Sequence, residues 1–135
     1  MPGPETIVAQ YANQATISAS AEHPLWANGT GEVYSVVSAS YMQADVTVAS
    51  TSYFTIGIHR GTTAGVHTDV VATATLSATA LVAYVPVDLT LTTNTAVEDG
   101  EFLTAVLTEV GGVNTTLSQY GQLTAHLVKG TGANQ

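Results

Sequence analysis

Alternation of apolar and polar side chains is most regular in residues 81–91. The odd positions carry Leu, Ala and Val, whereas the even positions are mixed or polar from Pro86 onward. A period of two residues is typical of a β-strand with one face in a core and the other towards water. Pro86 cannot donate a ladder hydrogen bond, so we expect this strand at a sheet edge or with a local bulge.

The same period recurs along most of the chain. Residues 52–60 place Phe54, Ile56 and Ile58 on one face, and residues 68–76 return as a second strand after a loop with two glycines. This arrangement predicts an antiparallel hairpin.

Further strands are predicted where Val, Thr and aromatic residues cluster between turn signals. They cover residues 15–21, 32–42, 101–110 and 121–129. The last two alternate strictly and predict two inward-facing sets: Leu103, Ala105 and Leu107, and Leu123, Ala125 and Leu127. Residues 32–42 are apolar on both faces, which favours a central position or a subunit interface.

Turn chemistry separates these strands. Asp99-Gly100 predicts a tight turn before residues 101–110. Residues 23–26, with the single Trp of the chain at Trp26, are interpreted as a loop because Asn28-Gly-Thr-Gly31 follows them.

The pattern as a whole predicts an all-β fold. No long window has a helical apolar period with caps, so almost no helix is expected. About seven or eight short strands without a repeat unit indicate a single β-sandwich or barrel, and we expect an antiparallel sandwich. We expect an extended N-terminal arm over residues 1–14, one sandwich domain over residues 15–129 and a flexible tail over residues 130–135.

The scarcity of basic side chains excludes several classes of partner. The formal net charge is −8, and Arg60 and Lys129 are the only basic side chains. Two cations cannot form the basic patch that nucleic acids or anionic membranes require, so neither is an expected partner. Cysteine is absent, which excludes disulfides and thiolate sites. No signal-peptide pattern or membrane-length apolar run occurs, so we expect synthesis in the cytoplasm.

The N-terminal residues are candidates for contact with a partner. Pro2 and Pro4 oppose a strand ladder, and a short apolar patch of Ile7, Val8 and Tyr11 follows them. These five residues predict either a frayed terminus or an arm that docks on a neighbouring subunit.

Candidate chemistry is sparse. His59 ends one strand of the predicted hairpin and His67 precedes the other, with Asp69 two residues later, and such a set could hold zinc. The register that would bring them together is not given by the sequence, and polar surface histidines are the simpler interpretation. No nucleophile elbow, phosphate loop or convergent carboxylate pair is found, so neither an enzyme nor a cofactor is predicted.

A binding module is the alternative function. A receptor- or carbohydrate-binding sandwich would expose aromatic rings along one face or loop rim. The candidate rings are Trp26, Tyr34, Tyr41, Tyr53 and Tyr120.

The chain resembles the jelly-roll decoration, or cement, proteins of tailed-bacteriophage capsids. The resemblance rests on GEVYSVVSASYM, SYFTIGIHRG, VPVDLTL, VEDGEFLTAVLTEVGG and GQLTAHLVKG, and extends over roughly residues 15–129. It implies a non-enzymatic homotrimer on the capsid exterior of a virion. It also implies the major capsid protein as partner, an N-terminal arm that reaches neighbours, and no catalytic residues.

Overall fold

Ten β-strands and no helix form the described structure. The computed structural model describes residues 6–12, 21–43, 53–62, 67–76, 82–110 and 121–130. In chain order the strands are β1 (Thr6–Ala12), β2 (Ala21–Ala27), β3 (Tyr34–Met42), β4 (Tyr53–Gly61), β5 (Asp69–Leu76), β6 (Val87–Asp88), β7 (Thr90–Leu91), β8 (Ala96–Val97), β9 (Phe102–Val110) and β10 (Gln122–Lys129).

Strand pairing is nested. β1 pairs with β10, β2 with β9, β3 with both β6 and β8, and β4 with β5, all antiparallel. The β10–β3 ladder completes a first sheet in the order β1-β10-β3-β6, with β8 also paired to β3. The β9–β4 ladder completes a second sheet in the order β2-β9-β4-β5-β7. A hairpin folded over on itself in this way is a jelly roll. The predicted antiparallel sandwich is confirmed. It has ten strands because residues 81–91 contain two short ones, β6 and β7, and because β1 and β8 were not predicted as strands.

The core between the sheets comes from the strands with strict alternation. The predicted inward-facing residues of β4, β9 and β10 are each at most 1% exposed: Phe54, Ile56, Ile58, Leu103, Ala105, Leu107, Leu123, Ala125 and Leu127. Their shared face follows from the two-residue period of an unbroken ladder, and it is confirmed.

A bulge explains why β3 looked apolar on both faces. The β10 partners Leu127 and His126 oppose Val36 and Ser38, so Val37 is an extra residue on β3. The alternation therefore shifts by one, and Tyr34, Val36, Ala39 and Tyr41 all face the core.

Residues 81–91 are not one strand, which corrects the prediction. Val82 and Val85 close a tight turn, after which β6 pairs with β3 in the first sheet and β7 pairs with β5 in the second. Leu89 is buried where the chain crosses between the sheets. The predicted alternation survives only from β6 to β7, because Pro86 and the turn interrupt the ladder before it. Leu81 lies outside the described residues.

The N-terminal arm prediction is wrong for Thr6–Ala12. All seven residues of β1 pair with β10 without a register shift. The prolines did not prevent this strand because they precede it. Pro2, Pro4 and residues 13–20, which include most of the predicted strand over 15–21, lie outside the described residues.

Residues 23–26 belong to a strand rather than a loop. β2 tolerates Pro24 because it is an edge strand, with β9 on one side only. Its register shifts between Pro24 and Trp26, so Leu25 is the extra residue of a bulge.

Asn28 connects the loop after β2 to the loop before β9. Its side chain is 2% exposed, and its Nδ2 donates to the carbonyls of Val97 and Glu32, both at 2.8 Å. Its Oδ1 accepts from the Thr30 amide at 3.0 Å and the Thr30 hydroxyl at 2.7 Å. The side chain therefore uses its full hydrogen-bonding capacity.

The predicted turn at Asp99-Gly100 is confirmed. The amide of Glu101 donates to the carbonyl of Glu98 at 3.0 Å, and Gly100 has a φ of 91°. A β-turn with positive φ at its third residue favours glycine there. At the other end of the domain the tail prediction is corrected for Gly130, which donates to Val33 and accepts from the Ser35 hydroxyl.

We predict that Asn28→Asp lowers the free energy of unfolding by about 3 kcal/mol, because a carboxylate oxygen would face two carbonyl oxygens in a buried site. Urea unfolding measures the effect. Asn94→Asp is the matched control: Asn94 is exposed and uses only its Oδ1, which Asp retains. A similar loss in both variants would contradict the structural role of Asn28.

We predict that Gly100→Ala lowers the free energy of unfolding by about 1 kcal/mol, because alanine is strained at positive φ. Gly29→Ala is the control, since an added Cβ has open space at both positions and only Gly100 has positive φ. The midpoints of thermal unfolding compare them, and equal midpoints would refute the backbone explanation.

Candidate functional site

The two histidines of the predicted metal set come together on the outer face of the second sheet. The rings of His59 and His67 lie 5.7 Å apart between centroids. His59 Nδ1 donates to the main-chain carbonyl of His67 at 3.1 Å. Its Nε2 lies over Gly57, where an added Cβ would be 3.2 Å from it. Both nitrogens of His59 therefore face the protein's own backbone.

The third predicted ligand points elsewhere. Asp69 forms an ion pair with Arg60 at 3.4 Å, and His67 Nε2 instead contacts the Glu22 carboxylate at 2.8 Å. His67 Nδ1 is buried, and none of the described residues forms a hydrogen bond with it. Within the described ranges no group of three or more His, Asp or Glu side chains is placed to hold a metal ion. The contact between His59 and His67 was foreseen from the hairpin, whereas Glu22 is too distant in sequence to predict.

Both basic side chains of the protein form ion pairs. The mostly buried Arg60 contacts Asp69 and also donates to the carbonyls of Ala96 and Asn94, which ties the end of β4 to the loop between β7 and β8. Lys129 lies 3.9 Å from the Glu32 carboxylate at the end of the sandwich. The cations thus hold loops in place.

The four described candidate rings do not form an exposed binding rim. Trp26 is half-buried and meets Tyr34 edge to face, with 5.8 Å between ring centroids. Tyr34 and Tyr41 are buried, and Tyr53 packs against the core. Tyr120 lies outside the described residues. Trp26 instead forms, with Phe102 on β9, one wall of a shallow apolar depression along edge strand β2.

Tyr11 closes the side of the sandwich where β1 faces β2. Its ring stacks on that of His23, with centroids 4.4 Å apart and an angle of 16° between the planes. Burial raises the pKa of the Tyr11 hydroxyl above its usual value, because the phenolate would lose hydration.

Two of the three described N-terminal candidates face the core. Ile7 and Tyr11 pack against the buried cluster, whereas Val8 lies on the outer face and is 52% exposed. This difference follows from the alternation of β1 once it pairs with β10. Of the three, Val8 has the most exposed side chain, and the partner-binding role of these residues stays a prediction.

An exposed apolar tip is the feature that sequence reasoning missed. We call residues 82–86 the apolar tip: Val82, Tyr84 and Val85 are 53%, 71% and 49% exposed, and Pro86 is exposed beside them. Tyr84 has a φ of 60°, a left-handed conformation that only a minority of non-glycine residues adopt. The predicted long strand over residues 81–91 would contain neither a turn nor a left-handed residue. The one signal in the sequence for a break was Pro86.

Buried residues fix the tip in place. The Tyr84 amide donates to the Gln43 carbonyl at 2.8 Å, and the Val85 amide donates to the Val82 carbonyl at 3.0 Å. Gln43 is itself buried and accepts a hydrogen bond from the hydroxyl of Tyr41. The core thus positions an exposed tyrosine ring.

Comparison with protein-family models, curated proteins and solved structures found no match. The described residues contain no helix with the length and apolar character of a membrane span.

We predict that Tyr11→Phe reduces the loss of stability in alkaline solution. Since the folded-state pKa is raised above the unfolded value of 10.0, the neutral hydroxyl favours the fold. That contribution is complete below the unfolded pKa and is lost as the pH rises through the folded pKa. Unfolding free energies measured from pH 8 upward test it, with Tyr84→Phe as the exposed control. Parallel pH profiles for wild type and Tyr11→Phe would contradict the prediction.

Proposed function

We propose that this chain is a non-enzymatic structural protein that forms a homotrimer and decorates the outer surface of a viral capsid, with the major capsid protein of a tailed bacteriophage as its partner. The observation that carries the proposal is the apolar tip, where a strained tyrosine is exposed. The resemblance to capsid decoration proteins supplies the kind of partner.

The conformation of Tyr84 opposes stability. A left-handed backbone costs a non-glycine residue about 1–2 kcal/mol, and glycine or asparagine would avoid most of that cost. The ring gains little packing in return because it is largely exposed. Strain kept at an exposed apolar site supports a role in binding.

The apolar tip is held in one conformation, which favours binding. A loop already held in one conformation loses less entropy when a partner covers it. Backbone hydrogen bonds to Gln43 and within the turn hold the tip. Aromatic rings at the centre of a desolvated contact contribute strongly to protein–protein affinity. We therefore assign the tip to contact with the capsid.

The first sheet offers a surface for contact between subunits. Its three long strands, β1, β3 and β10, carry only one Asp, Glu, Lys or Arg, which is Lys129 at the end of β10. Depletion of charge is characteristic of interface cores. In a protein with a net charge of −8, copies meet most readily where charge is absent. We propose that the trimer packs through the outer face of β3 and β10, the two central strands of this sheet.

Two measurements test the proposed function. Light scattering should give the mass of three 13.8-kDa chains, or a multiple of three where trimers associate further. Sedimentation of virus particles purified from cells that produce the protein should carry the protein with them. A monomer that remains in the supernatant would overturn the proposal.

We predict that Tyr84→Gly abolishes co-sedimentation with those particles while the free energy of unfolding stays the same or rises by up to about 1 kcal/mol, because glycine relieves the backbone strain. Tyr84→Phe is the control: it keeps the ring and its backbone, and should still co-sediment. If Tyr84→Gly bound particles as well as wild type, the tip would not be the contact.

A further inference from the structure

The free edge of β1 is a site for strand addition, and we infer that its occupant is the β1 strand of a second copy of this chain. The strand pairs with β10 on one side, and no described strand pairs with its other side. An edge strand presents unpaired main-chain N–H and C=O groups that another strand can satisfy.

The other sheet edges are protected. Folded proteins prevent pairing at edges with charges, prolines, bulges or very short strands. β2 carries Glu22, Pro24 and a register shift. β6, β7 and β8 are each two residues long. β5 is covered at its centre, where Ala72 and Thr73 pair with β7. Among the described strands, β1 is therefore the one unprotected strand whose whole length is open on one side.

β1 itself has none of these protections. Its sequence, TIVAQYA, contains no charge and no proline, and its seven residues keep one register against β10. A regular, uncharged strand with β-branched residues is the best template for a further strand.

The symmetry of the pairing between two copies follows from the number of long open edges among the described strands. Head-to-tail addition needs two different edges that fit each other, and the described strands offer one. Pairing between copies through β1 must therefore be two-fold, with the same edge on both sides. Antiparallel pairing centred on Ala9 joins all seven residues. It sets Val8 against Gln10 of the second copy, and Ile7 against Tyr11 of the second copy.

This register also continues the core. Ile7 and Tyr11 are half-buried at the edge of the apolar cluster. Placed opposite each other across the two-fold axis, they would bury their remaining surface against the partner's Tyr11 and Ile7. On the outer face, Val8 would lose its exposure beside an uncharged Gln10. Main-chain hydrogen bonds and apolar burial would thus act together, with no like charges opposed within the pairing.

The two-fold contact is separate from the proposed trimer. A trimer packed through the outer face of β3 and β10 leaves β1, with Val8 and Gln10, outside its contact. Pairing through β1 would then join two trimers at each contact. On a closed shell such contacts would link neighbouring trimers. The inference does not rest on the capsid proposal, because it needs only the open edge and a second copy.

Analytical ultracentrifugation of the full chain at micromolar concentration tests the inference. The wild type should contain an even number of chains, and Val8→Lys/Gln10→Lys should halve that number by placing lysines opposite each other, which weakens association about tenfold or more. Val8→Lys/Gln10→Glu should restore the wild-type mass, because each lysine then faces a glutamate. Both positions are exposed, so circular dichroism should show an unchanged fold.

Thr73→Lys/Thr75→Lys is the matched control. It adds the same charge at the same spacing on exposed positions of β5, which is flanked by β4 and β7. It should keep the wild-type mass. A wild-type monomer or plain trimer, or a mass that Val8→Lys/Gln10→Lys does not change, would overturn the inference. A plain trimer would leave the proposed function standing, whereas a dimer would support the β1 pairing and refute the trimer.

Discussion

The fold depends on the placement of β9 and β10 at the centre of the two sheets. β10 separates β1 from β3, and β9 separates β2 from β4. The first four strands therefore have no ladder with one another, and the last third of the chain supplies their common partners. Pairings of such high sequence separation are costly in chain entropy and form slowly. Each sheet is thus stable only as a complete set, and its core residues are contributed by distant segments.

Local alternation was sufficient to predict the strands at the centre of the fold. Ile56 on β4 and Leu107 on β9 lie in one unbroken ladder, and Leu123 on β10 lies in the unbroken ladder with β1, so their faces could be predicted from a two-residue period alone. The errors lie at sheet edges and bulges. Pro2 and Pro4 argued against a strand over residues 6–12, although they precede it. The turn signal at residues 28–31 argued against a strand at residues 23–26, where Pro24 is tolerated because β2 is an edge strand. An extra residue such as Val37 reverses the faces after it and makes a one-sided strand look two-sided.

The candidate site was predictable only where neighbours in space are also neighbours along a hairpin. His59 and His67 lie close together because they belong to the two sides of the β4–β5 hairpin. Asp69 does not join the two histidines because it forms an ion pair with the adjacent guanidinium of Arg60. The carboxylate that contacts His67 belongs to Glu22 on another strand. The exposure of Tyr84 could not be predicted, since its conformation depends on a hydrogen bond to the distant Gln43. Long-range pairing, rather than composition, determines which side chains reach the surface.

The same two cations that tie loops to strands also limit proteolysis. Trypsin-like enzymes cut after Arg and Lys, so this chain offers them two peptide bonds, beside Arg60 and Lys129. Arg60 lies within β4 between the ladders of β5 and β9, and Lys129 is the last residue of β10, opposite Tyr34. A protease needs an extended, unpaired segment, so cleavage at Arg60 has to wait for the second sheet to open. The folded chain thus resists such enzymes through two features together: it has few basic residues, and both of them lie within hydrogen-bonded strands.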